Sequence, residues 1–342
     1  MQNIWSKIKK PILALAPMAG YTDSAFRLIC LENGADIVYT EMTSVEAIWR
    51  KNKKTLKMLE LLPKEKNVIL QLFGNKPESF KKALKTISKI QPARPSGGFP
   101  TCPSVRRVSK ISGIDINLGC PAHKVTKTGA GAALVNNKKL AREIIQTVLE
   151  NTKLPVSIKM RSQVKNTSAI DFIKYIKDLN ISAVMIHCRS LKQKFSGPVD
   201  FSIIRKIKKL LPNIPVLANG GINTQEDIKK ILEKTNGDGI GIARGALGNP
   251  FIFSSTKKYL KNNNYKKINN KNIKKTMIQH TKYFLKYNSS FAKATADKQN
   301  LVPLRKQLLQ YFKGQKNASE IRQKIIKIKS LEDLKNILSS QS

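Results

Sequence analysis

Eight short runs of apolar, largely β-branched residues recur along the chain: Ile12–Ala16, Ile37–Thr40, Val68–Leu72, Ile114–Leu118, Val156–Met160, Ala183–Cys188, Val216–Ala218 and Gly239–Ala243. They are continuously apolar rather than alternating, as strands covered on both faces must be, and that pattern belongs to parallel sheets. Segments with helical spacing separate most of them, including Ile170–Leu179, Ile203–Leu211 and Gln225–Leu232. Eight such strand–helix units predict a closed parallel (β/α)8 TIM barrel rather than an open sheet. After residue 256 the strand pattern stops. Helical patterns follow at about 272–287, 300–313, 318–328 and 331–339, behind an Asn- and Lys-rich stretch. The expected organisation is therefore an α/β barrel over 1–256 and a small all-helical domain over 257–342.

Charge separates the two parts further. The chain of 342 residues carries a formal charge of +41, and residues 257–342 hold 21 Lys and Arg against 4 Asp and Glu. A general bias toward lysine would spread the excess evenly, whereas here its density in the last quarter is about twice that of the rest. A positive field of this strength attracts polyanions, which points the helical domain toward nucleic acid. Two stretches, 91–107 and 291–298, break the Lys/Ile/Asn composition and are expected to be surface insertions. No run reaches the ~20 apolar residues of a membrane span. The four cysteines (30, 102, 120 and 188) have no metal-ligand spacing, and no metal site is expected. A cytoplasmic setting is the expectation.

A barrel carries its chemistry at the C-terminal ends of its strands, and the informative residues fall there. Strand one ends in Ala16-Pro17-Met18-Ala19-Gly20, small enough to let backbone approach a flat ligand. Gln71, Lys159 and His187 end strands three, five and six; a lysine there can neutralise electron density on a ligand ring. Asn219-Gly220-Gly221 follows strand seven and Ala243-Arg244-Gly245 follows strand eight. The loops after strands seven and eight are the usual phosphate site of such barrels, with glycine backbone amides and an arginine to hold the anion. Together these residues describe a planar, phosphorylated, redox-capable ligand such as FMN. Cys120, after Gly119 and before Pro121 at the end of strand four, has polar neighbours Asn117, His123 and Lys124; a thiol that stays protonated can act as a general acid. Cys30 and Cys188, among apolar neighbours, are expected in the core, and Cys102 in a surface loop.

The motifs PMAGYTDSAFR, QLFGN, DINLGCPAHKVTKTGAGAAL, SIKMR, IHCRS, ANGGI and GIARGALGNPFIF, with Leu304-Arg305-Lys306 and Tyr311 to Gly314 beyond them, stand in an order and spacing that resembles the bacterial tRNA-dihydrouridine synthases. The resemblance implies an FMN-dependent barrel, NADPH or NADH as reductant, and tRNA as substrate, with a monomer expected and no protein partner or membrane implied. By matching position, Pro17, Met18, Ala19, Gln71, Lys159, His187, Asn219, Gly220, Gly221, Ala243 and Arg244 would hold FMN. Cys120 would be the proton donor to a uridine, while Asn117, Lys124, Arg161, Arg305 and Arg322 would contact the RNA. Gly221 stands where an acidic residue is frequent, Ala243 where glycine is usual, and Gln307 where a histidine is expected. Two other classes compete: a small-molecule FMN oxidoreductase of the dihydroorotate or ene-reductase kind, which leaves the basic tail without a role, and an RNA-binding protein on a decayed barrel, which leaves Cys120 and Arg244 without one.

Overall fold

The computed structural model describes residues 3–90, 111–265, 268–289, 300–314 and 317–340. The insertions expected at 91–107 and 291–298, and Cys102 with them, lie outside the described residues. Eight strands form the barrel: β1 (Ile12–Leu15), β2 (Ile37–Tyr39), β3 (Val68–Phe73), β4 (Gly113–Leu118), β5 (Val156–Arg161), β6 (Ala183–His187), β7 (Val216–Asn219) and β8 (Gly239–Ile242). Each pairs in parallel with the next. β8 then returns to β1, Ile12 opposite Gly239 and Leu15 opposite Ile242, and the ring closes with no free edge. All eight expected strands are present.

Alternation along the strands divides the core in two. Leu13, Leu15, Val38 and Leu70 face outward into the layer under the helices. Ile12, Ala14, Ile37, Tyr39, Ile69, Met185 and Leu217 face inward and pack with Trp5, which is 1% exposed and closes the N-terminal end of the barrel. Toward the C-terminal end the inward positions change character. Two residues beyond Ile69 comes Gln71; Asp115 and Asn117 follow on β4, Lys159 and Arg161 on β5, His187 on β6 and Asn219 on β7. A dry floor thus supports a polar upper layer, because the two-residue strand period carries each inward row from one to the other.

Helices α1 (Ser24–Glu32), α2 (Pro77–Ile90), α3 (Lys138–Glu150), α4 (Ala169–Ile176), α5 (Ser202–Leu210), α6 (Gln225–Thr235) and α7 (Ile252–Asn262) cover the outside, and two short helices, Val45–Trp49 and Lys53–Lys57, stand where a single longer one would follow β2. Local chemistry sets their limits. The Asp23 carboxylate accepts from the Phe26 amide and starts α1. Thr224 and Asp227 form a reciprocal capping box at α6. On α5, Ile203, Ile204 and Ile207 are buried beneath exposed lysines.

The expected domain boundary at 256/257 falls inside α7. Strand periodicity ends before this helix, but the helix belongs to the barrel: Ile252 and Phe253 are fully buried in its outer core, and the chain leaves only at Asn263, which caps α7 in the left-handed conformation. The later helices α8 (Asn270–Ser289), α9 (Val302–Leu308), α10 (Ala318–Ile325) and α11 (Leu331–Ser339) share a second core of Met277, Phe284, Leu304, Leu308, Tyr311, Phe312, Ile325 and Leu334. Ala25 of α1 is the barrel's contribution to that core. Around it, Gln307 donates to Asp23 at 2.6 Å and the His280 ring stacks on Phe26 at 5.6 Å. The side chain of Gln307, where a histidine was expected, thus ties the helical region to the N-cap of α1.

Candidate active site

A cavity of about 850 Å³ opens at the C-terminal end of the barrel. Cys120, Asn117, Arg161 and all eleven residues expected to hold the cofactor line it: Pro17, Met18, Ala19, Gln71, Lys159, His187, Asn219, Gly220, Gly221, Ala243 and Arg244. Its size suits a cofactor plus part of a substrate.

The turn after β1 is held by Thr22, whose hydroxyl accepts from the Met18 amide at 3.1 Å, while the Glu41 carboxylate accepts from the Gly20 amide. On the cavity floor the Lys159 ammonium donates to Asn219 Oδ1 at 3.1 Å, and Asn219 Nδ2 donates to the Gly241 carbonyl at 2.7 Å. Burial pulls the Lys159 pKa down to about 8, so it remains mostly a cation at neutral pH. His187 is shifted in the same direction and further: burial, then the nearby Lys159, Arg161 and Arg189, lower it to about 2, and its ring is neutral at neutral pH. Gly220, at φ 103°, lies against that ring; a Cβ there would stand 3.2 Å from His187 Nε2, so only glycine lets the backbone pass.

Cys120 is half-buried just beyond β4. The Asn117 side chain accepts from the Gly119 and Cys120 amides at 3.1 and 2.9 Å, and the Arg161 Nε donates to the Gly119 carbonyl at 3.0 Å. Gly131, at φ 62°, packs under the loop; its Cβ would come within 3.2 Å of the Cys120 Cβ. Burial raises the thiol pKa, opposed by the Ala122 amide and the Arg161 and Lys159 charges, and the net direction is upward. The sulfur therefore carries its proton at neutral pH and can donate it. Cys30 and Cys188 are in the core at 0% and 1% exposure, as their neighbours suggested.

Three expected RNA contacts lie elsewhere. Lys124 is exposed on the short helix His123–Thr126, outside the cavity lining. Arg305 directs Nε and Nη2 at the Ile328 carbonyl and joins α9 to the turn between α10 and α11, and Arg322 is exposed on α10. Arg161, expected at the uridine, lines the cavity but also donates Nη1 to the Ser190 and Lys194 carbonyls.

The cavity also holds residues that were not singled out. Arg189 follows His187 by two residues and so shares its inward face, a signal the strand period offered. Its Nε donates to the Gly197 carbonyl at 2.9 Å and its Nη1 is buried without a partner. Phe195 lies between the guanidinium groups of Arg161 and Arg244, each 5.4 Å from its ring, and is 54% exposed. Gln310, just after α9, reaches the lining from the helical region, and the Lys306 ammonium stands 5.1 Å over the Tyr21 ring. These depend on loop and inter-region geometry, which no local pattern encodes.

A flavin fits what is present. The buried Nη1 of Arg189, which has no partner in the chain, points to a polar group supplied from outside it. Arg189 and Arg244 put two cations beside the glycine loops after β7 and β8, suited to a phosphate, while Gln71, Asn219 and Lys159 offer neutral and cationic partners to a polar ring system. Among the described residues no group of three or more His, Cys, Asp or Glu is placed to hold a metal.

Fold and site define a barrel oxidoreductase of the flavin-dependent kind. The family model for dihydrouridine synthase matches residues 14–91 and 102–341, and the chain belongs to that family. Among curated relatives, a probable tRNA-dihydrouridine synthase of Treponema pallidum is 29% identical over 94% of this chain and 91% of its own length. A tRNA-dihydrouridine synthase B of Vibrio parahaemolyticus is 30% identical over 91% and 89%, and one of Pasteurella multocida 34% identical over 70% and 67%. Among solved structures, histamine dehydrogenase from a Rhizobium species superposes with a TM-score of 0.52 at 13% identity. A 2-naphthoyl-CoA reductase does so at 0.51 and 9%. They cover 79% and 72% of this chain, which spans about half of each, and they support the barrel fold alone.

Proposed function

We propose that the chain reduces the C5–C6 double bond of a uridine in tRNA to 5,6-dihydrouridine, with Cys120 as the acid. The observation that carries the reading is a half-buried thiol, its pKa raised by burial, on the rim of a cavity whose lining suits a flavin, in a member of the dihydrouridine synthase family. When bound, FMN would supply the hydride equivalent for C6 of the base, with NADPH or NADH as the expected reductant. The chain's own residues do the rest. Arg161 and Asn117 stand beside Cys120 where negative charge develops on the uracil carbonyl side, and a fixed guanidinium there stabilises it. Cys120 gives its proton to C5, and the resulting thiolate, next to Arg161 and Lys159, is re-protonated from water. Lys159, Asn219, Gln71 and neutral His187 would orient the cofactor ring, and Arg244 with Arg189 would hold its phosphate.

The target base must leave its stack, at a cost of a few kcal/mol. The basic helical region offsets that through phosphate contacts, which carry no base information, so site choice rests on tRNA shape. A cytoplasmic monomer fits this role. Anaerobically reduced protein should be reoxidised by folded tRNA and not by free uridine, dihydroorotate or simple enones. Turnover of the small acceptors with no response to tRNA would replace this reading with that of a small-molecule oxidoreductase.

A further inference from the structure

Asp115 is a buried carboxylate that the proposed chemistry does not use. It is 0% exposed, faces into the barrel from β4 one layer below Asn117, and does not line the cavity. Its Oδ1 accepts from the Ser157 hydroxyl at 2.7 Å and its Oδ2 from Gln71 Nε2 at 2.8 Å. Gln71 Oε1 accepts from Asn117 Nδ2 at 2.9 Å, and Asn117 Oδ1 accepts from the Cys120 and Gly119 amides. The links follow the sheet: Gln71 sits opposite Asp115 and Asp115 opposite Ser157 in the barrel register.

Two side-chain amides in series can point either way, since each has an acceptor end and a donor end of nearly equal size. The ends of this series remove the choice. An ionised carboxylate only accepts, so Gln71 must turn its nitrogen toward Asp115 and its oxygen toward Asn117. Asn117 must then donate to Gln71 and present oxygen to backbone amides that only donate. We propose that Asp115 is a positioning residue for the catalytic loop: through Gln71 and Asn117 it fixes the amide orientation that holds Cys120 partly buried at the cavity rim. This rests on the reading of Cys120 as the acid. Burial raises Asp115 to about 6, opposed by its two hydrogen-bond donors and by Lys159, so it is largely ionised at neutral pH.

Asp115→Leu removes both acceptors at similar size. Gln71 Nε2 is then buried without a partner, Gln71 is free to turn away, and Asn117 is held chiefly by the two loop amides it accepts from, so the Cys120 loop is held less firmly. Asp115→Asn keeps an oxygen for Gln71 and turns its nitrogen to the Ser157 oxygen, so the direction of the series survives. The readout is alkylation of Cys120 by iodoacetamide, followed by peptide mass spectrometry across pH on the full chain, which needs neither flavin nor RNA. In Asp115→Leu the loosened thiol becomes more exposed: its alkylation midpoint shifts down toward the ordinary thiol value, and the rate at pH 8 rises about tenfold. Asp115→Asn stays within about threefold of the wild type. With tRNA, the Leu variant loses at least tenfold in kcat with little change in KM, and the Asn variant retains most of it. Asp115→Ala serves if the Leu variant does not fold. Unchanged Cys120 alkylation in folded Leu or Ala variants overturns the proposal, as does an Asn variant as impaired as the Leu. If alkylation responds as expected but no variant or wild type acts on tRNA, the reaction reading fails and the positioning role stands.

Discussion

Burial beneath its own loop raises the Cys120 pKa, and the acid role proposed for it follows from that burial. Cys120→Ala should lower kcat by about 10²- to 10⁴-fold, the range for loss of a positioned acid, while tRNA affinity measured by filter binding changes little. The pH profile has a definite sign. A donor must be protonated, and the Cys120 pKa is raised, so turnover attributable to this group should hold through neutral pH and decline only above the ordinary thiol range. Arg244→Ala and Arg189→Ala should each weaken FMN by roughly 10- to 150-fold in an absorbance titration, corresponding to ~1.5–3 kcal/mol for a charge-assisted hydrogen bond. At this scale the sequence was legible wherever a residue's place follows from a strand end. Gln71, Lys159, His187 and Asn219 all lie where period two puts them. Phe195 and Gln310 were not legible, because a loop of irregular backbone and a second packed region bring them in.

The strands were legible because continuous apolar runs have few other solutions, and their observed ends differ from the expected ones by a residue or so. The limit of the barrel was less so. Strand periodicity ends at β8, yet the barrel continues through α7, whose amphipathic pattern reads the same whether it packs on a barrel or on a helical bundle. The seam between α1 and the helical region carries its own prediction. His280 is buried and lowered to about 4, chiefly by burial, so it enters the folded state neutral. As pH falls through 6.5 the unfolded chain takes up a proton there and the folded chain does not until about 4, so stability should decline across that window. His280→Phe should flatten that decline in denaturant titrations, the nearby Asp23 remaining common to both proteins. Leu304→Ala, in the core shared by the last helices, should cost ~2–5 kcal/mol.

For the whole molecule, the excess positive charge has a division of labour. Lys159, Arg161, Arg189 and Arg244 line the cavity, whereas exposed lysines of the helical region, among them Lys313, Lys327 and Lys329, face solvent. No helix among the described residues is long and apolar enough to cross a membrane. If these lysines meet phosphates, affinity for tRNA should fall at least tenfold between about 50 and 200 mM salt. Replacing the three with glutamine should reduce that salt slope while leaving kcat at saturating tRNA nearly unchanged. The direction of this field was readable from the uneven charge along the sequence. Which cations reach the RNA was not: Arg305, an expected contact, is committed to the Ile328 carbonyl that joins two helices of its own region. The measurement that bears most directly on the central claim is mass spectrometry of tRNA after incubation with the protein, FMN and NADPH, beside Cys120→Ala. A gain of two mass units on a uridine, largely lost in the variant, is the expected result. An unchanged tRNA from flavin-loaded, reducible protein, or an equal gain from the variant, would contradict it.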